Sequence, residues 1–142
     1  MGDLYHVDVV EWSERQARLL RQHAAGERTN EPLDWSNIIE EIESVGQSQI
    51  DAVESWWTLA FLHDLKADAW PLARDVFHWR AEARLFRAQA RRKYRPSMRQ
   101  RLDVPGLYAD ALGALPERLD DLAPLPVART CPVTIDDLLE DP

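Results

Sequence analysis

Apolar and aromatic side chains recur at alternating steps of three and four residues in the second half of the chain, and this spacing fits the period of an α-helix. Pro71 lies before the segment and Pro96 after it, and the residue that precedes a proline is disfavoured in helical geometry. The sequence therefore predicts a helix over about 74–95 with one buried face. The members of this aromatic stripe are Val76, Trp79, Ala83, Phe86, Ala90 and Tyr94.

A second helix is predicted near the N-terminus. Asp8 and Glu11 have the spacing of a capping box, and Gly26 supplies a left-handed stop, so we expect a helix over about 8–25. The residues expected on its buried face are Val9, Trp12, Leu19 and Leu20.

The longest periodic segment begins at Asp34 or Ser36 and ends near Leu65. Gly46 interrupts it, and Ser48 is followed three residues later by an aspartate. This pattern favours two consecutive helices over one kinked helix. The stripe predicted to be buried consists of Ile38, Ile42, Val45, Gln49, Ala52, Trp56, Leu59, His63 and Lys66.

Prolines and a glycine divide the remaining chain, so we expect only short helices near 105–112 and 116–122. Thr134 and Asp137 form a further capping box before a last short helix. No segment alternates β-branched with polar residues in the manner of a strand. The predicted fold is all-α, a small helical bundle with two to three long helices and short C-terminal helices, forming a single domain over 1–142.

Composition excludes several classes of protein. Cys131 is the single cysteine, which excludes an internal disulfide and a thiolate zinc ribbon. No apolar run reaches the roughly 18 residues of a membrane span, and the first residues are acidic where a signal peptide is basic, so we expect a cytoplasmic protein. Neither a glycine-rich phosphate loop nor a GxSxG motif occurs, so we expect neither an enzyme nor a cofactor.

Four motifs occur in an order found in a known family. They are EEIESVG (40–46), FLHDLK (61–66), HWRAEAR (78–84) and CPVTIDDLL (131–139). In these motifs the chain resembles the bacterial DUF29 proteins over nearly its whole length. The resemblance implies a small helical domain of uncharacterised function, and it implies no catalytic or binding residues.

Five arginines each follow a member of the aromatic stripe by one residue, so they form a line about 100° from the buried face. This arginine ladder consists of Arg80, Arg84, Arg87, Arg91 and Arg95. Arginine pairs with carboxylates in bidentate fashion, so acidic residues of this chain or of a second copy are its expected partners. The expected complementary line consists of Glu40, Glu43, Gln47, Asp51 and Glu54.

Nucleic-acid binding through the arginine-rich helix 74–95 is an alternative, because arginine also neutralises phosphates. The net charge of −8, with strongly acidic segments on both sides of this helix, disfavours a polyanion. Nucleic acid is therefore not the expected partner.

Trp56 and Trp57 point about 100° apart on one helix, so both cannot lie at the centre of one buried face. Tryptophan and arginine are enriched in protein interfaces. We therefore predict a protein interaction module that forms a homodimer or binds another protein. The residues predicted for its interface are Trp57, Arg80, Arg84, Arg87 and Arg91.

A metal or small anionic ligand is a further alternative. Histidines and carboxylates from facing helices build metal sites in helical bundles, and Lys66 with Arg80 would hold an anion. This alternative requires His63 and His78 to lie in one cleft. The residues predicted for it are His63, Lys66, Asp75, His78 and Glu82.

Overall fold

The computed structural model describes residues 3–140, and within them it contains helices and no β-strand. This confirms the predicted all-α fold, and none of the helices is long and apolar enough to cross a membrane. The α-helices are α1 (Leu4–Val7), α2 (Val9–Ala24), α3 (Trp35–Ala69), α4 (Val76–Lys93), α5 (Val104–Ala114) and α6 (Ile135–Glu140), and a 3₁₀ helix (Pro96–Arg101) follows α4.

The chain divides into two compact units, Met1–Gln47 and Ser48–Pro142. We call them the N-terminal unit and the C-terminal unit. Helix α3 contributes residues to both, because it runs without interruption from Trp35 to Ala69. That the chain functions as a single domain stays a prediction.

The predicted limits of α2 are confirmed. The Asp8 carboxylate accepts a hydrogen bond from the backbone N–H of Glu11 at 3.0 Å, and Gly26 has a φ of 73° just after the helix. Val9 and Leu20 are exposed, so their predicted burial is wrong. The buried side chains among the described residues of this unit are Trp12, Gln16, Leu19 and Ile38.

Hydrogen bonds around Asp34 hold α2 against the beginning of α3. Its carboxylate accepts hydrogen bonds from Asn37 Nδ2 at 2.8 Å and from Trp12 Nε1 at 2.9 Å. Its backbone N–H donates to Gln16 Oε1 at 2.9 Å. The hydrogen bonds from Asn37 and Trp12 favour the ionised carboxylate and lower the pKa of Asp34 below its usual value.

The prediction of two helices meeting at Gly46 is wrong, because α3 is continuous through this residue. A glycine lowers helix stability by about 1 kcal/mol relative to alanine but keeps its backbone N–H, so it does not end a helix as a proline does. Ser48 therefore lies in the interior of α3.

The predicted buried stripe of α3 is wrong in both halves of the helix. In the first half, Ile38 is buried as predicted, but Ile42 and Val45 are exposed. In the second half, Leu59 is exposed and Trp56 is half-buried, whereas Trp57 is 0% exposed. The buried line begins one residue later than predicted, which rotates the face by about 100°. Its members are Ile50, Val53, Trp57, Ala60, Phe61 and Leu65.

Helix α4 confirms the strongest sequence pattern. It begins at Val76 after Asp75 and ends at Lys93. Its buried residues are members of the aromatic stripe, namely Trp79, Ala83 and Ala90.

The predicted helix near 105–112 is confirmed as α5, but the predicted helix near 116–122 is wrong. Leu119 and Leu122 each donate a backbone N–H to the other's carbonyl, at 3.0 and 2.8 Å, around a tight turn. Asp120 and Asp121 within it have φ values of 49° and 63°. Two left-handed residues cannot continue a right-handed helix, so the chain reverses here.

The capping box before α6 is confirmed. The Asp137 carboxylate accepts the backbone N–H of Thr134 at 2.8 Å, and the Thr134 hydroxyl accepts the backbone N–H of Asp137 at 3.3 Å. α6 buries Leu138 in the core of the C-terminal unit. Cys131 is half-buried against the same core, and its thiol donates to the Val133 carbonyl at 3.2 Å.

Candidate functional site

Two guanidinium groups of the arginine ladder converge on one carboxylate of α3. Arg80 Nη1 lies 2.8 Å from Asp64 Oδ1, and Arg87 Nη1 lies 2.5 Å from Asp64 Oδ2. Arg80 Nη2 also lies 2.6 Å from Asp68 Oδ1. Arg80 and Arg87 are therefore paired with carboxylates of the same chain, which is one of the two kinds of partner expected for the arginine ladder.

Asp64 and Asp68, which bind Arg80 and Arg87, lie outside the predicted line of acidic residues. The hydrogen bond that Arg80 donates to Asp68, followed by the one it donates to Asp64, raises the pKa of Arg80 above its usual value despite partial burial. Asp64 lies one turn beyond Ala60 on the buried side of α3. Asp64 is half-buried there, and the two guanidinium groups stabilise its charge.

The predicted interaction residues do not form one surface. Trp57 is buried in the core of the C-terminal unit, so its prediction as an interface residue is wrong. Its Nε1 has no hydrogen-bond partner in the part of the chain that the structure describes. Arg87 and Arg91 are half-buried, whereas Arg84 is exposed. Of the predicted set, Arg84 is the residue that remains fully available to another molecule.

The structure brings together three residues of the predicted ligand site. Glu82 lies between two histidines, 3.6 Å from His63 Nε2 and 3.4 Å from His78 Nε2. His63 Nδ1 lies 2.8 Å from the Leu59 carbonyl oxygen and hydrogen-bonds to it. The half-buried His63 is therefore partnered by a backbone carbonyl and a carboxylate within the chain.

Within residues 3–140, the side chains of the two other predicted ligand residues form no hydrogen bond or ion pair with this group. Asp75 precedes α4 and lines a separate cavity, and Lys66 is half-buried on α3. Arg80, the predicted partner of Lys66 for an anion, is already bound to two carboxylates. Among residues 3–140, no group of three or more histidine, cysteine, aspartate or glutamate side chains is arranged to hold a metal ion.

A cavity of about 250 Å³ lies beside the ion pairs of Asp64 and is lined by Phe61, Asp68 and Arg80 among others. Its wall also contains Tyr108, whose hydroxyl donates to the Ala128 carbonyl at 2.6 Å. Asp64 and Asp68 of this wall are both paired with Arg80, and the tyrosine hydroxyl is engaged. The arrangement therefore suits a structural role in holding α3 to α4.

Sequence reasoning missed a row of exposed apolar side chains on the first half of α3. Ile42 is 68% exposed and Val45 is 62% exposed, although both were predicted to be buried. Trp35 and Ile39 are also more than half exposed. Steps of four and three place Trp35, Ile39 and Ile42 on one side of the helix. We call Trp35, Ile39, Ile42 and Val45 the apolar face of the N-terminal unit.

Comparisons with known proteins agree with this fold. The family model for a domain of unknown function, DUF29, matches residues 4–142. The crystal structure of an alpha-helical protein of unknown function from Rhodospirillum rubrum matches with a TM-score of 0.67 and 26% identity, covering 99% of this chain and 92% of that one. No curated protein matches the chain.

Proposed function

The chain belongs to the DUF29 family, whose function is unknown, and we propose that it is a non-enzymatic protein interaction module that self-associates through the apolar face of the N-terminal unit. The observation that supports this proposal is the row of exposed side chains on α3, Trp35, Ile39, Ile42 and Val45. The interaction surface is therefore the apolar face of α3, and Trp57 is not part of it.

The N-terminal unit leaves more large apolar side chains exposed than it buries. Its described residues bury three apolar side chains, those of Trp12, Leu19 and Ile38. Besides the apolar face, Val7 and Val10 are also more than half exposed. A helix with an apolar stripe is stable when another element covers that stripe. Contiguous exposed apolar surface on a small unit is characteristic of an interaction site.

A second copy of the chain is a suitable occupant of this face. Most soluble oligomers are assemblies of identical chains with closed symmetry. The apolar residues of α3 are bordered by exposed carboxylates, including Glu40 and Glu43. An apolar centre with a polar edge is the usual anatomy of a protein interface.

The test is the substitution Ile42→Glu, which places a charge at the centre of the apolar face. We expect the wild-type chain to be dimeric and the variant to dissociate at least tenfold more readily, which corresponds to about 1.4 kcal/mol. Analytical ultracentrifugation over a concentration series measures this change. Leu125→Glu is the matched control, because Leu125 is a similarly exposed leucine of the C-terminal unit.

Far-UV circular dichroism establishes whether the Ile42→Glu variant keeps its helices. A wild-type chain that stays monomeric at every concentration would contradict the proposal. So would a well-folded Ile42→Glu variant that associates as strongly as the wild-type chain.

A further inference from the structure

Helix α4 has an outer face that combines exposed apolar side chains with unpaired arginines. Phe77 is 85% exposed and Leu85 is 54% exposed. Arg84 and Arg92 lie on the same side of the helix, because all four residues fall within about 100° of its circumference. We call Phe77, Arg84, Leu85 and Arg92 the outer face of α4.

The charge of this face has one sign. Within residues 3–140, neither Arg84 nor Arg92 takes part in an ion pair, whereas Arg80 and Arg87 of the same helix are bound to Asp64. The single acidic residue of α4, Glu82, lies beside His63 and His78 instead. The outer face therefore presents cations and apolar groups without a carboxylate, in a chain whose net charge is −8.

The exposed side of the N-terminal unit has complementary chemistry. Ile39 and Ile42 are exposed on α3, and Glu40 and Glu43 follow each of them by one residue. Neither glutamate forms an ion pair in the part of the chain that the structure describes. This side of α3 thus offers apolar groups and carboxylates at helical spacing.

We propose that the outer face of α4 in one copy receives α3 of a second copy, with Ile39 and Ile42 against Phe77 and Leu85, and with Glu40 and Glu43 paired to Arg84 and Arg92. This proposal rests on the proposed self-association and names the surface on which the apolar face docks. Charge complementarity is the reason for choosing α4 as the receiving surface.

Each copy carries both the donating and the receiving surface. A contact that two copies make twice, about a twofold axis, closes a dimer. In such a contact the apolar groups provide most of the affinity, and the charges set the orientation and the rate of encounter. The contact is consequently sensitive to salt, since exposed ion pairs are screened within about 10 Å at 0.1 M ionic strength.

The test is a charge-reversal cycle in the full chain, measured by analytical ultracentrifugation. The variant Arg84→Glu/Arg92→Glu and the variant Glu40→Arg/Glu43→Arg are each expected to weaken dimerisation at least tenfold. The chain that combines all four changes restores the opposite charges and is expected to dimerise within about threefold of wild type. Arg129→Glu, a reversal at another exposed position of the C-terminal unit, is the control and is expected to have no effect.

The outcomes separate this proposal from the one on which it rests. If Ile42→Glu dissociates the dimer and Arg84→Glu/Arg92→Glu does not weaken it, the α4 contact is wrong, while self-association through α3 stands. If both reversals weaken the dimer but the combined chain, with its helices intact, does not recover, direct pairing of these residues is wrong. A monomeric wild-type chain contradicts the proposed function itself.

Discussion

The two units of this chain are stabilised in different ways. The C-terminal unit buries a continuous set of apolar side chains from α3, α4, α5 and α6, with Trp57 and Val53 fully enclosed. The N-terminal unit buries few side chains among its described residues, and hydrogen bonds to Asp34 hold its two main helices. The comparison teaches that one long helix can serve as a core element in one unit and as an exposed surface in the other.

Of the substitutions that test this difference between the units, Trp57→Ala is expected to have the largest effect on the free energy of unfolding. Removing a fully buried tryptophan leaves a cavity and should lower the free energy of unfolding by about 3–5 kcal/mol. Urea unfolding followed by circular dichroism measures this loss. Trp57→Phe is the control, because it keeps much of the aromatic volume and removes an indole N–H that has no partner among the described residues; it should lose less than half as much. Equal losses for both variants would show that the core does not depend on this side chain's volume.

A smaller, pH-dependent effect is expected from Asp34→Ala in the N-terminal unit. The change leaves the N–H groups of Trp12 and Asn37 without their acceptor and should lower the free energy of unfolding by about 1–3 kcal/mol at neutral pH. The pKa of Asp34 is lowered from 3.8 in the folded chain, so its stabilisation is present above that pH and is lost as the pH falls through the folded-state pKa.

Urea unfolding of the wild-type and Asp34→Ala chains at neutral and acidic pH measures this dependence. The difference between the two should shrink in acid. Glu27→Ala, at an exposed position of the same unit, should show little difference at either pH. A difference between wild type and Asp34→Ala that persists unchanged after the pH has fallen through the folded-state pKa would contradict the role of the ionised carboxylate.

The smallest effect is expected from Gly46→Ala, and it tests the continuity of α3 between the two units. No atom lies within 4 Å of a Cβ added at this glycine, so alanine should raise the free energy of unfolding by about 0.5–1 kcal/mol. Thermal unfolding measures the gain. Gly26→Ala is the contrasting variant, because the φ of 73° at Gly26 is strained for alanine and should make that change destabilising. Loss of stability in Gly46→Ala would show that α3 is interrupted there.

The sequence predicted α4 well because its stripe is bounded by prolines and packs within one unit. The face of α3 was predicted wrongly because its two halves belong to different units. Ile38 is buried in the first half, whereas Ile50, Val53 and Trp57 are buried in the second. A single stripe fitted to the whole helix combined these lines and placed Ile42 inside. Helical periodicity reports which residues share a side, and it does not report which side is covered.

The candidate site shows the same limit. The sequence indicated that carboxylates would bind the arginine ladder, and it offered several at helical spacing. Only packing distinguishes Asp64 from Glu54 as the partner of Arg87, since both lie on α3. The tight turn at Asp120 and Asp121 was missed for a related reason, because the leucines around it have helical spacing while the backbone is left-handed.

The half-buried thiol of Cys131 can be used to measure local opening of the segment that precedes α6. It is the single cysteine of the sequence and lies against the core of the C-terminal unit, next to the segment that leads into α6. A thiol reagent reacts with it faster when this segment opens away from the core, as amide exchange does for backbone groups. Labelling kinetics therefore respond to opening of the segment around Cys131, without any engineered probe.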